Sequence, residues 1–177
     1  TGEGIFTFVN GNIYEGTFLD GRFHGQGMIM YADSGKYEGD WQDNRRTGKG
    51  IYFSTNGNIY EGTFQDGSFH GQGIIMYADS GKYEGEWQDG ERTGEGIFTF
   101  INGNIYDGTW QDDKRIGQGT ITYLDGNTYG GLFLDGKFHG QGTYRFKSGN
   151  MYKGQWQNGK RNGQGIFLYP NGDKYNG

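Results

Sequence analysis

The sequence predicts an all-β protein built from tandem antiparallel β-hairpins, and three observations support this fold class. Glycine contributes 38 of the 177 residues, and aromatic residues make up 18% of the chain. One pattern of tyrosine and glycine recurs along the whole sequence, and side chains alternate between its landmarks with period two, which is typical of strands. Proline occurs once, which excludes collagen, and the many rings exclude a disordered glycine-rich linker.

The repeat is defined by a tyrosine that stands two residues before a glycine, and it keeps a step of 23 residues throughout. A phenylalanine or tryptophan follows four residues after the tyrosine, and a Gly-x-Gly pair closes the unit. Alternation puts both rings and the intervening glycine on one face, where a ring can lie across a glycine because glycine has no Cβ. This ring-and-glycine face is predicted to contain Tyr14, Phe18, Tyr37, Trp41, Tyr60, Phe64, Tyr83, Trp87, Tyr106, Trp110, Tyr129, Phe133, Tyr152 and Trp156.

Turn-forming pairs separate the predicted strands and divide each repeat into two strands. Asp20-Gly21 and its equivalents follow the first strand, and Asn10-Gly11 and its equivalents follow the second. These residue types tolerate the positive φ that tight hairpin turns require. Each strand should therefore pair with its neighbours in sequence.

The segment 83–90 reads Tyr-Glu-Gly-Glu-Trp-Gln-Asp-Gly, and Gly94-Glu95-Gly96 follows it. This pattern resembles the MORN (membrane occupation and recognition nexus) repeat. The resemblance covers essentially the whole chain as eight repeats, of which the terminal ones are partial. It implies an elongated, single-layer, twisted antiparallel sheet. We expect residues 1–177 to form one continuous array that is a segment of a longer chain.

Two surface features are candidate partner sites. One is an apolar stripe on the face opposite the rings, which is predicted to bind a partner through Met28, Met30, Phe53, Ile74, Met76 and Ile97. Uncovered stripes of this kind mark interaction surfaces, unless side chains of the alternate strands such as Ile13 and Ile59 fold over them. The other is a basic edge just past the Asp-Gly turns, formed by Arg22, Arg45, Arg46, Arg92, Arg115, Lys137, Lys160 and Arg161. It is either a solvated edge beside the turn aspartates or a docking strip for an acidic partner or anionic lipid.

No catalytic, cofactor-binding or metal site is predicted, so we expect the chain not to be an enzyme. The Gly-x-Gly pairs lack the third glycine and the helix of a dinucleotide-binding fingerprint. His24, His70 and His139 occupy one repeat position and lie two or three repeats apart, too far to share one metal ion. Metal bridging between two arrays is the alternative to simple turn histidines. The chain has no cysteine for a disulfide or a thiolate site, which fits a reducing intracellular compartment.

The leading hypothesis is a non-catalytic scaffold that docks other proteins, because rigid repeat arrays present extended binding surfaces. The resemblance implies cytoskeletal or axonemal partners, as in radial spokes, and a location in the cytoplasm, at the cytoskeleton or in a cilium or flagellum. Self-association would also cover the stripe. The alternatives are a regulatory segment of a larger lipid kinase or methyltransferase, and a lipid-associated module at membrane junctions. The net charge of −5 disfavours both lipid headgroups and nucleic acid as partners.

Overall fold

The structure is a computed structural model that describes residues 1–177. It is all-β, with no helix and with strands of seven and nine residues alternating over most of the chain. The strands are β1 (Gly2–Thr7), β2 (Ile13–Leu19), β3 (Arg22–Met30), β4 (Lys36–Gln42), β5 (Arg45–Phe53), β6 (Ile59–Gln65), β7 (Ser68–Met76), β8 (Lys82–Gln88), β9 (Glu91–Thr99), β10 (Ile105–Gln111), β11 (Lys114–Thr122), β12 (Thr128–Leu134), β13 (Lys137–Arg145), β14 (Met151–Gln157), β15 (Lys160–Leu168) and β16 (Lys174–Asn176).

The sixteen strands form one antiparallel sheet in which the strand order follows the chain order. The predicted fold class, a single layer of tandem β-hairpins, is therefore confirmed. The residues group into two compact units, Thr1–Glu91 and Arg92–Gly177, which we call unit 1 and unit 2. Each unit is described by itself, and the continuity of residues 1–177 as one array stays a prediction.

The core of each unit is a layer of rings packed on glycines. Tyr14 in unit 1 and Tyr129 in unit 2 have no exposed surface. A Cβ added at Gly27 would lie closer than 3.0 Å to the Tyr14 ring, and Gly142 stands in the same relation to Tyr129. A side chain at these glycines would collide with a buried ring, so the close approach requires glycine. The rings thus pack as the period-two alternation predicts.

The tyrosine hydroxyl makes a hydrogen bond that the sequence pattern does not reveal. Tyr14 Oη donates to the carbonyl of Thr17 at 3.0 Å, and Tyr129 Oη donates to the carbonyl of Leu132 at 3.0 Å. Each accepting residue lies beside a register shift between neighbouring strands, where the regular pairing is interrupted. The hydroxyl therefore supplies a hydrogen-bond donor to a backbone carbonyl at a point where the regular pairing of strands is interrupted. Burial raises the pKa of both Tyr14 and Tyr129 to about 12.

The tryptophans add a second link between strands. Trp41 Nε1–H donates to the carbonyl of Gly27 on the preceding strand at 3.0 Å, and Trp156 Nε1–H donates to the carbonyl of Gly142 at 3.2 Å. Both tryptophans are buried. A buried indole needs a partner for its N–H, and the glycine carbonyl supplies one without a side chain in the way.

Candidate docking surfaces

Each unit has a second face, here called the reverse face, that points away from the packed rings. In unit 1 it carries five of the six residues of the predicted apolar stripe: Met28, Met30, Phe53, Ile74 and Met76. The strand pairings Met30↔Lys36, Lys36↔Phe53 and Ile59↔Met76 put these positions on one face, because directly opposite residues share a face in an antiparallel sheet.

The stripe of unit 1 is half-exposed. Met30 and Met76 are 43% and 45% exposed, although Ile13 and Ile59 pair directly with them. The side chains of the alternate strands therefore flank the stripe and do not cover it. The sixth predicted residue, Ile97, lies in unit 2 and is also exposed.

A row of carboxylates runs along the reverse face of unit 1 beside the stripe, and the sequence reasoning missed it. It is formed by the residue between the tyrosine and the glycine of each repeat, and strand pairing places an apolar residue between successive members. We call it the acidic row, and its order across the strands is Ile5, Glu15, Met28, Glu38, Ile51, Glu61, Ile74 and Glu84. All four glutamates are exposed.

An open hollow of about 680 Å³ lies on this face, and Ile51, Glu61, Ile74 and Glu84 line it together with the backbone of neighbouring glycines. Lys49 is the one basic side chain of its lining. The hollow therefore combines apolar walls with carboxylates.

The same positions in unit 2 have a different character. The residue between tyrosine and glycine is, in chain order, Asp107, a glycine, Lys153 and Asn176. The positions equivalent to Met30 and Met76 hold Thr99, Thr122, Arg145 and Leu168, of which Thr122 and Arg145 are exposed. Counted by unit, residues 1–91 hold six basic and fourteen acidic residues, whereas residues 92–177 hold ten and seven. Counting the charge in each half of the sequence would have revealed this asymmetry, which the total of −5 conceals.

The ring face of unit 1 carries a second candidate surface near the start of the chain. It is a groove of about 580 Å³ whose lining includes Phe6, Phe8, Phe23, Tyr31, Trp41 and Arg46. Phe6 is 48% exposed, so the groove presents an aromatic side chain to solvent. Aromatic residues of this kind serve as anchors in protein interfaces.

The structure divides the predicted basic edge into two sets. The first set lies over rings on the ring face and comprises Arg46, Arg92, Arg115 and Arg161. Arg46 Cζ is 5.1 Å from the centroid of the Tyr52 ring, and Arg161 Cζ is 4.6 Å from that of Tyr152, which are cation–π distances. In other repeats phenylalanine takes this position, and Phe23 stacks on Tyr14 at 3.7 Å.

The second set comprises Arg22, Arg45, Lys137 and Lys160, which are exposed at the hairpin ends. Arg22 pairs with Asp43 at 3.1 Å and Arg45 pairs with Asp66 at 2.9 Å, in each case across to the next Asp-containing turn. The edge is thus not a single basic row, because half of its members stack on rings and the turn aspartates offset part of the rest.

The histidines and carboxylates form no metal centre in the structure. No group of three or more histidine, cysteine, aspartate or glutamate side chains could hold a metal ion. His24 and His70 lie on β3 and β7, in different hairpins. None of the segments forms a helix with the length and apolar character that a membrane crossing needs.

Comparison with protein families identifies the repeat. The family model of the MORN repeat matches eight consecutive segments, which are residues 1–13, 14–36, 37–59, 60–82, 83–105, 106–128, 129–151 and 152–174. The chain belongs to the MORN repeat family. The predicted resemblance is therefore confirmed over nearly the full length. No curated protein sequence matches the chain significantly.

Solved structures with a similar fold include domains of CPAP and Sas-4. The TCP10 domain of Danio rerio CPAP in complex with a peptide of Danio rerio STIL matches with a TM-score of 0.59 and 12% identity, covering 99% of this chain and 78% of that one. The G-box domain of the microcephaly protein CPAP, for which a role in centriole elongation has been suggested, matches with a TM-score of 0.53 and 13% identity, covering 99% and 98%. The TCP10c domain of Drosophila melanogaster Sas-4 matches with a TM-score of 0.51 and 16% identity, covering 98% and 97%. At these identities the likeness concerns the fold.

Proposed function

We propose that the chain is a non-catalytic docking module that binds a protein partner through the apolar stripe on the reverse face of unit 1. The observation that carries the proposal is the exposure of Met30 and Met76 on a face without a second layer of unit 1 above it. An apolar stripe left in water costs free energy, and a partner that covers it recovers that cost. Methionine suits such a surface because its flexible side chain adapts to a partner's shape.

Two comparisons support a protein partner over an enzymatic role. The family model that matches describes a structural repeat, and stacked repeats present rows of side chains to partners. The zebrafish CPAP domain, which shares the fold, was solved with a STIL peptide bound, so an open sheet of this kind can hold a protein segment.

The cellular setting is a finer part of the proposal. We place the module in a cytoskeletal assembly, with a ciliary or axonemal complex as the specific case. The support is that the CPAP G-box domain, similar in fold, has a suggested role in centriole elongation. A companion set made only of membrane proteins would contradict this setting.

The test is a comparison of companions bound by matched variants. Affinity purification of the full-length protein identifies companions, and calorimetry with each purified companion then measures direct binding. Met30→Gln/Met76→Gln removes apolar contact without adding charge, and should weaken binding at least about tenfold, given that burying each such side chain contributes ~1.5 kcal/mol or more.

Two further variants control the experiment. Thr122→Gln/Arg145→Gln changes the equivalent positions of unit 2 and should leave the affinity within about twofold of that of the wild type. Phe6→Ser changes the ring-face groove and reports whether that surface binds instead. Loss of binding with Phe6→Ser but not with Met30→Gln/Met76→Gln would refute the proposed stripe.

A further inference from the structure

We propose that the segment docking on the reverse face of unit 1 is cationic and amphipathic, with lysine or arginine side chains about 10 Å apart and apolar side chains between them. This inference rests on the proposed function, because it names the chemistry of the partner for the same surface. Four features of unit 1 support it.

The first feature is the alternation along the acidic row. Glu38, Glu61 and Glu84 stand on every second strand, and Ile51 and Ile74 stand on the strands between them. Neighbouring strands lie about 4.8 Å apart, so successive glutamates repeat at about 10 Å. A partner that crosses the strands therefore meets carboxylates and apolar side chains in alternation.

The second feature is that alternate carboxylates lack a cation. Glu38 pairs with Lys36 at 2.9 Å and Glu84 pairs with Lys82 at 2.8 Å, each lysine lying two residues earlier on the same strand. Ile13 and Ile59 occupy that position before Glu15 and Glu61, which have no ion pair within the chain. A partner's cation at Glu15 or Glu61 displaces no internal lysine.

The third feature is the hollow beside Glu61. Its apolar walls include Ile51 and Ile74, its carboxylates include Glu61 and Glu84, and its volume is about 680 Å³. Lysine and arginine combine an apolar stem with a charged head, so one side chain can meet both kinds of wall. An anionic headgroup would meet the carboxylates unfavourably.

The fourth feature is the charge of the whole unit. Residues 1–91 carry six basic and fourteen acidic residues, so the field around unit 1 attracts cations before any contact forms. Because these charges are exposed, the attraction should weaken as salt rises. Binding of the partner should therefore depend on salt as well as on the apolar stripe.

The experiment uses a designed peptide with the full chain. A fluorescein-labelled peptide of repeated Lys-Ser-Leu units places lysines about 10 Å apart along one side in the polyproline II conformation, which has three residues per turn, and fluorescence anisotropy measures its affinity. Repeated Glu-Ser-Leu tests the sign of the charge, and repeated Lys-Ser-Ser tests the need for apolar side chains. We expect the Lys-Ser-Leu peptide to bind at least about tenfold more tightly than either control peptide, with an affinity that falls as salt is raised.

A charge-matched pair of variants locates the binding. Glu15→Gln/Glu61→Gln should weaken Lys-Ser-Leu binding at least about fivefold. Asp89→Asn/Glu91→Gln removes the same charge at a hairpin end of unit 1 and should leave the affinity within about twofold of that of the wild type. Equal losses from both variants, or no preference between Lys-Ser-Leu and Glu-Ser-Leu, would overturn the inference.

Two other occupants of this face, a second copy of the chain and a lipid surface, would be recognised by different measurements. Ultracentrifugation that shows self-association lost in Glu15→Gln/Glu61→Gln would overturn the inference in favour of a second copy. Co-sedimentation with vesicles of phosphatidylcholine and phosphatidylserine measures lipid binding. A higher affinity for these vesicles than for the Lys-Ser-Leu peptide would overturn the inference in favour of a lipid surface.

The same variants separate the inference from the proposed function. If Met30→Gln/Met76→Gln abolishes binding of a purified companion and Glu15→Gln/Glu61→Gln does not, the docking function stands and the cationic partner is wrong. If Met30→Gln/Met76→Gln keeps the companion, the proposed stripe itself is wrong.

Discussion

Units 1 and 2 are each built on the same kind of core, and they differ on the face that points away from that core. Tyr14 and Tyr129 occupy equivalent buried positions, each over a glycine and each bonded through its hydroxyl to a carbonyl three residues later. On the reverse face, by contrast, Met30 of unit 1 corresponds to threonine, arginine or leucine in unit 2, and Glu38 corresponds to Lys153. The ring-and-glycine contacts hold each unit together whichever residues occupy the reverse face.

This difference shows where binding specificity can be encoded. A position on the ring face is constrained by close approach, since a Cβ at Gly73 or Gly142 would strike a tyrosine. A position on the reverse face meets only neighbours on its own sheet and solvent, so its substitutions cost little and can serve a partner. Function then resides in side chains set on a common fold.

The largest expected effect tests the shared core. Trp41→Ala and Trp156→Ala each remove a buried indole that donates to a glycine carbonyl, and each should cost about 3–5 kcal/mol of unfolding free energy. Denaturant unfolding of the two variants measures this. A loss confined to one unit would show that the two cores are not equivalent.

The next effect tests the close approach of ring and glycine. Gly73→Ala and Gly142→Ala would place a methyl group against Tyr60 and Tyr129, and overpacking of this kind typically costs about 1–3 kcal/mol. The neighbouring exposed residues supply matched controls, so Gln72→Ala and Gln141→Ala should change stability by no more than about 0.5 kcal/mol. The prediction fails if the glycine and glutamine variants melt alike.

A smaller effect concerns the tyrosine hydroxyl and pH. Tyr14→Phe and Tyr129→Phe should each cost about 1 kcal/mol at neutral pH, because a carbonyl loses its donor. Folding raises both pKa values from 10.0 to about 12, so the folded state holds these protons more tightly than the unfolded state. The stability that this difference contributes is complete below pH 10 and is lost as pH rises toward 12.

Circular dichroism across that alkaline range checks the pH dependence. Each Tyr→Phe variant should lose less stability than the wild type between pH 10 and 12, because one shifted group is gone. A wild-type protein that keeps its full stability at pH 12 would contradict the burial of these hydroxyls.

The smallest effect belongs to the hairpin ends. Arg45→Ala in unit 1 and Lys114→Ala in unit 2 each remove an exposed ion pair with the aspartate of a following turn. Exposed pairs contribute little, so each variant should lose less than about 1 kcal/mol, and thermal melting in low and high salt measures the difference. A loss of stability larger than about 1 kcal/mol would contradict this prediction and show that these exposed ion pairs stabilise the hairpin ends.

The sequence predicted the fold class and the ring face because both depend on local periodicity. A 23-residue step and a period-two alternation determine which strand follows which and which side chains share a face. Tyr14 and Trp41 were assigned to the ring face on that ground, and the structure places them there in the buried layer.

Other features could not be predicted from the period-two alternation of side chains, and each has a physical reason. The bond from Tyr14 to Thr17 depends on a register shift, which the alternation does not specify. Arg46 was grouped with Arg45 because both follow the same hairpin turn. Adjacent strand residues point to opposite faces, however, and Arg46 stacks on rings. The acidic row was overlooked because only pairing between strands sets Glu61 between Ile51 and Ile74.

Methionine footprinting tests the central claim most directly, which is that unit 1 docks the partner on its reverse face and unit 2 does not. The chain has four methionines, of which Met28, Met30 and Met76 lie on the proposed surface and Met151 lies on the reverse face of unit 2. Mild peroxide converts accessible methionine to its sulfoxide, which mass spectrometry counts at each position. Binding of a purified companion should protect Met30 and Met76 and leave the oxidation of Met151 unchanged. Protection of Met151 with Met30 and Met76 oxidised as in the unbound chain would contradict the account.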